Sequence, residues 1–139
     1  SVMNYKKICD NDSMLNTPPT FSVYVASLVL EWIKSLGGVS TMEKNAKERS
    51  TLLYDYIDSS SFYINSIESF SRSRMNVPFD ISDQSLTDSF LSEANHNGLF
   101  ELKGHRSVGG FRASIYNAMP IEGVRVLIDF MKDFERRYG

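Results

Sequence analysis

Three potential cations, His105, Arg106 and Arg112, fall within eight residues, and Gly109-Gly110 lies between them. Arg is the side chain suited to planar, bidentate recognition of carboxylate or phosphate. A His in the same loop adds a donor and, when protonated, a charge. Two separate Arg positions therefore suit the two ends of a doubly anionic small molecule. Alternation decides where Arg112 points. In a strand over 110–116, Phe111, Ala113 and Ile115 face the core, while Arg112, Ser114 and Tyr116 face outward. The paired glycines permit a tight reversal, or a close approach of backbone to a ligand. His105 and Arg106 then return beside Arg112. The competing reading is a solvated strand face with weak ion pairs to Glu101 or Glu122, and spacing alone leaves both open. Arg72 and Arg74 read as surface charges.

A second signal is Asn16-Thr17 ahead of an apolar helix. A helix N-terminus carries unpaired N–H groups and partial positive charge, which suits a phosphate; the plainer reading has Thr20 capping its own helix. Cys9 is the single cysteine, and with only His96 and His105 as possible bases neither a thiol nucleophile nor a zinc site is expected. A formal charge of −2 supplies no general field for nucleic acid or anionic lipid, so an anion site has to be local. With 42% hydrophobic and 23% charged residues the chain reads as one globular domain. The most apolar run, 21–33, contains Glu31 and is too short to span a bilayer. Nothing at the start reads as a signal peptide, and a cytoplasmic fragment is expected.

The elements that must position these residues follow from the periodicity. Pro18-Pro19 bars a helix before residue 20. Phe21, Val25, Leu28 and Trp32 then recur at helical spacing, with Tyr24, Val29 and Ile33 widening the apolar surface. Gly37-Gly38 stops that helix. Ser40 and Glu43 form an S-x-x-E capping box for a second helix, with Met42, Ala46, Leu53 and Ile57 inward, ended by the serines at 59–61. Residues 62–70 are ambiguous; 73–79 read as a strand with Met75, Val77 and Phe79 on one face and Arg74 and Asn76 on the other. Ser82 reads as the N-cap of a third helix, 99–103 and 110–116 as short strands, and Pro120 as the start of a last helix carrying Ile121, Val124, Ile128 and Met131 inward. The fold class is α+β: a small antiparallel or mixed sheet covered by helices.

The residues carrying these signals resemble a known family. NTPPTF at 16–21, LGGV at 36–39, SRMNVPF at 73–79 and above all GHRSVGGFRASIYNAMPIEGV at 104–124 are similar, in order, to the C-terminal part of phosphoserine aminotransferases. The resemblance implies a pyridoxal-phosphate enzyme of class V exchanging an amino group between glutamate and 3-phosphohydroxypyruvate. That reaction serves serine biosynthesis and, in bacterial relatives, pyridoxine biosynthesis. By position it implies that Arg112 binds the substrate α-carboxylate, and that His105 and Arg106 bind its phosphate or the distal carboxylate of glutamate. It further implies that Asn16 and Thr17 contact the cofactor phosphate across a homodimer interface. Residues 1–20 would be a linker from a large domain, and 21–139 the small domain. None of Lys6, Lys7, Lys34, Lys44, Lys47, Lys103 or Lys132 sits in the motif of the lysine that holds the cofactor, so no catalytic residue is expected and the chain alone is expected to be inert, with no covalently held cofactor. The alternatives are a stand-alone binding module for phosphorylated or dicarboxylate metabolites, and a structural or dimerisation domain.

Overall fold

The computed structural model of the chain describes residues 3–139. They divide into two compact units, one reaching to Val39 and the other Ser40–Gly139. In the first, α1 (Tyr5–Cys9) is capped by Asn4, whose Oδ1 accepts from the Lys7 N–H at 3.1 Å. Helix α2 (Thr20–Ser35) begins after Pro18-Pro19 and stops ahead of Gly37-Gly38, as its sequence predicts. Its N-cap is Pro19 and no side chain caps it, so the Thr20 cap is not made: Thr20 is already the first helical residue. Helix α2 buries none of its residues, and Phe21 is 78% exposed. No single helix among the described residues is long and apolar enough to cross a membrane.

Helix α3 (Gly38–Ser59) starts ahead of Ser40, which puts Ser40 inside the helix and removes it from the cap position that the S-x-x-E pattern predicts. Met42, Ala46, Leu53 and Ile57 are buried along one face, as their spacing requires. A three-stranded antiparallel sheet follows in the order β1 (Tyr63–Ile64), β2 (Asn76–Ile81), β3 (Phe111–Ser114). In β2 and β3 burial alternates strictly: Val77, Phe79, Ile81, Phe111 and Ala113 are buried, and Asn76, Pro78, Asp80, Arg112 and Ser114 are half-buried on the opposite face. Helices α4 (Thr87–His96) and α5 (Ile121–Tyr138) complete the core with Phe90, Ala94, Val124, Leu127, Met131 and Phe134. The α+β architecture with a small antiparallel sheet is as expected.

Three local expectations are corrected. Residues 99–103 form no strand: Glu101 adopts a left-handed backbone (φ 59°), which interrupts the extended run and leaves only a bridge between Lys103 and Phe111. The cap before α4 is Asp83, not Ser82; its carboxylate accepts from the Ser85 N–H at 2.9 Å and starts a 3₁₀ turn, Gln84–Leu86, that runs into the helix. Pro120 precedes α5 as its N-cap and does not occupy the first helical position.

Phe90 is the hub of the core. Its ring lies 4.4 Å from Phe111, 5.0 Å from Phe134 and 5.2 Å from Phe130, centroid to centroid, with Tyr63 and Phe79 just beyond 6 Å. These tilted and edge-on pairs are the preferred aromatic geometries. Phe90→Ala should therefore lower stability by about 3–5 kcal/mol, measured as a shift in the urea midpoint at unchanged slope.

Candidate functional site

Strand β3 carries Arg112 on its half-buried face because Phe111 and Ala113 are both committed to the core. Its backbone N–H donates to the Leu102 carbonyl at 2.7 Å, which fastens the strand to the preceding loop. Across the sheet Arg112 stands opposite Pro78, with Asn76 opposite Ser114. The Arg112 Nε is buried and has no acceptor. Leaving such a donor unsatisfied costs about 1–3 kcal/mol, and an arriving anion would remove that cost. No ion pair from Arg112 or Arg106 to Glu101 or Glu122 forms among the described residues.

The loop before β3 closes on itself through glycines. The Gly104 N–H donates to the Gly110 carbonyl at 2.8 Å, and the Val108 and Gly109 N–H groups both donate to the His105 carbonyl at 2.8 Å. A Cβ on Gly104 would lie 2.0 Å from the Gly109 carbonyl oxygen, a contact no side chain makes. Gly110 has φ +60° and packs against Phe79 and Asp80 of β2. This closure brings His105 and Arg112 onto the wall of one cleft of about 450 Å³, together with Asp80, Gly109 and Gly110. Arg106 lies exposed in the same turn, outside that wall. The His105 Nδ1 accepts from the Ser107 N–H at 3.3 Å and lies 2.7 Å from the Ser107 hydroxyl. An accepting Nδ1 leaves the neutral ring's proton on Nε2, the nitrogen free to donate to a ligand.

Arg112 also borders a second, smaller cleft of about 250 Å³, with Ile67, Ser71, Ser73, Asn76 and Pro78. The segment forming its outer wall is tied to α3. Arg72 makes a forked pair with Asp58 at 2.6 and 2.8 Å, donates from Nε to the Ile67 carbonyl at 3.1 Å, and stacks 4.6 Å over the Tyr54 ring. The Tyr54 hydroxyl donates to the Ser73 carbonyl at 3.0 Å; burial raises its pKa, so it stays a donor. Arg72 is thus a latch with a side chain only 17% exposed, not the surface charge expected of it. Arg74 does pair at the surface, with Glu43 at 2.9 Å.

Sequence reasoning missed Asp80, Ser71 and Ser73 as members of the site. The outward placement of Asn76 and Tyr116 was available from alternation, yet nothing local marked them as neighbours of Arg112. Asn16 and Thr17 belong to the first compact unit, where both are exposed just ahead of α2.

The family pattern described as aminotransferase class-V matches residues 1–127. A phosphoserine aminotransferase of Herminiimonas arsenicoxydans is 56% identical over the whole chain. The solved phosphoserine aminotransferase of Bacillus circulans subsp. alkalophilus superposes on 97% of the chain with a TM-score of 0.89 and 41% identity. The pyridoxal-phosphate-bound enzyme of Trichomonas vaginalis superposes on 94% with a TM-score of 0.83, also at 41% identity. The chain spans 38% of the length of each of these proteins.

The closure at Gly104 makes the loop sensitive to a single methyl group. Gly104→Ala should lower stability by about 1–3 kcal/mol and shift the NMR resonances of His105 and Gly110, whereas the core aromatic resonances around Phe90 hold. An unshifted His105 would show that this contact does not set the loop.

Proposed function

The chain belongs to the class-V aminotransferase family, and on that premise we propose that it is the substrate-recognition part of a phosphoserine aminotransferase. The parent enzyme would move an amino group between glutamate and 3-phosphohydroxypyruvate, supplying serine biosynthesis and possessing the chemistry used in pyridoxine biosynthesis. The observation that carries this reading is an arginine held on the sheet's outer face with a buried, acceptorless Nε, sharing a cleft wall with the His105 imidazole. Arg112 takes the α-carboxylate common to every substrate of the exchange. His105 and Arg106 take the group that differs, the phosphate of one substrate or the distal carboxylate of the other. A loop that offers one neutral or protonated ring and one exposed guanidinium accommodates both shapes of anion.

Asn16, Thr17 and the first turn of α2 fit the phosphate of pyridoxal phosphate. The turn has no side-chain cap and no acidic residue; its Thr20 N–H is taken by the Pro18 carbonyl at 2.8 Å, and the following N–H groups and the partial positive charge of the turn are what an anion would meet. When bound, the cofactor supplies the electron sink for amino-group exchange. The role assigned to this chain's own residues is to hold and orient the substrate, since none of its lysines lies in the cofactor-lysine motif.

A homodimer in which Asn16 and Thr17 serve the neighbouring subunit's cofactor belongs to the same reading, as do a linker over 1–20, a small domain over 21–139 and a cytoplasmic location. The uncovered apolar surface of α2, including Phe21, Leu30 and Val25, is consistent with such a partner surface.

Arg112→Lys in the full-length parent tests the reading, because Lys keeps the charge and loses the fork. The KM for glutamate and for 3-phosphohydroxypyruvate should both rise by about 10-fold or more. Steady-state kinetics with each substrate varied in turn gives the answer, and unchanged KM values for both would remove Arg112 from the site.

A further inference from the structure

We propose that the carboxylate held by Arg112 lies in the smaller cleft, on the Asn76 side of the arginine, and that the Asn76 amide is its second donor. This rests on the assignment of Arg112 as the carboxylate-binding residue and adds where, and with what partner, the carboxylate sits.

The orientation of the Asn76 side chain carries the argument. Its Oδ1 accepts from the Tyr116 hydroxyl at 3.2 Å and, more weakly, from the Ser114 hydroxyl at 3.5 Å. Ser114 ends β3 and Tyr116 lies two residues beyond it on the same outward face, so the amide oxygen is turned toward that segment and away from the cleft. The Nδ2 with its two protons is left without a protein acceptor among the described residues, on a cleft that Asn76 and Arg112 line together. Ser73 reinforces the same polarity. Its Oγ accepts from the Met75 and Asn76 N–H groups, both at 3.1 Å, which leaves its own hydroxyl proton to give away. The two clefts flanking Arg112 differ in whether an acidic residue lines them. The larger one carries the Asp80 carboxylate in its wall, against Gly110. The smaller one is walled by Arg112, an amide N–H face, two serine hydroxyls and apolar carbon, with no acidic residue. A carboxylate placed there meets donors only; placed on the other side of Arg112 it meets a like charge.

The pairing explains why Tyr116 faces outward yet is tied down: its hydroxyl fixes the rotamer of the donor beside Arg112. Asn76 and Tyr116 thus divide the work. Asn76 touches the substrate, and Tyr116 acts through it as a positioning residue.

Asn76→Asp in the full-length parent separates this role from a structural one. The two side chains share a shape, and a carboxylate still accepts from Tyr116 and Ser114. Only the donor face is lost, and a negative charge is set beside Arg112. The KM for glutamate and for 3-phosphohydroxypyruvate should each rise by about 100-fold, with kcat changed much less and inhibition by inorganic phosphate unchanged. Both KM values within twofold of the parent, in an enzyme whose Arg112→Lys variant does raise them, would overturn the proposal and leave the Arg112 assignment standing. KM values unmoved in both variants would overturn the assignment as well. Should Asn76→Asp fail to fold, Asn76→Ser carries the test: loss of the amide donor should raise both KM values by about 10-fold, and no change would refute it.

Discussion

The second unit depends on keeping one face of a three-stranded sheet dry. Phe90 sets that constraint: a single ring on α4 touches or approaches aromatic side chains from β1, β2, β3 and α5. Once Phe79 and Phe111 are claimed by this cluster, the period of two allows no choice for their neighbours. Pro78, Asp80, Arg112 and Ser114 have to stand on the other face. A slip of one residue in β3 would bury the Arg112 guanidinium in an aromatic core and expose Phe111, at a cost far beyond what the small sheet could absorb. The position of the candidate anion-binding arginine is therefore a consequence of hydrophobic packing, with no contact of its own needed to hold it.

Two independent devices then shape the space around Arg112. On one side, the Gly104–Gly110 backbone pair folds a short loop back so that His105 shares a wall with the arginine. On the other, the Arg72–Asp58 fork and the Tyr54–Ser73 hydrogen bond fasten the irregular segment before β2 to α3. Neither device contains Arg112. The rigidity belongs to helices and backbone, and the binding groups project from it, which is the arrangement expected where geometry has to be kept within a fraction of an ångström.

The sheet's alternation was legible from the sequence because it is local: six residues of β3 and its extension suffice to assign every face correctly. The apolar breadth of α2 was legible for the same reason. What could not be read depended on backbone excursions or on distant partners. Glu101 breaks a stretch of strand-like composition by taking a left-handed conformation that its side chain does not announce. The capping side chain ahead of α4 is Asp83 and not Ser82, because both residue types cap well and only the 3₁₀ turn that Asp83 starts decides between them. Arg72 looked like a solvated charge, since Asp58 lies 14 positions away and on another element. Asn76 was placed on the right face, but its amide orientation depends on Tyr116, 40 residues further along.

The central claim is that this chain reads two ends of one substrate, with Arg112 on the carboxylate and the His105 loop on the variable group. A crystal structure of the full-length parent with bound phosphoserine tests it most directly. The account predicts carboxylate oxygens within hydrogen-bond distance of the Arg112 guanidinium, with the phosphate on His105 and Arg106. A phosphate seated on Arg112, or a carboxylate held by the 104–110 loop, would contradict it.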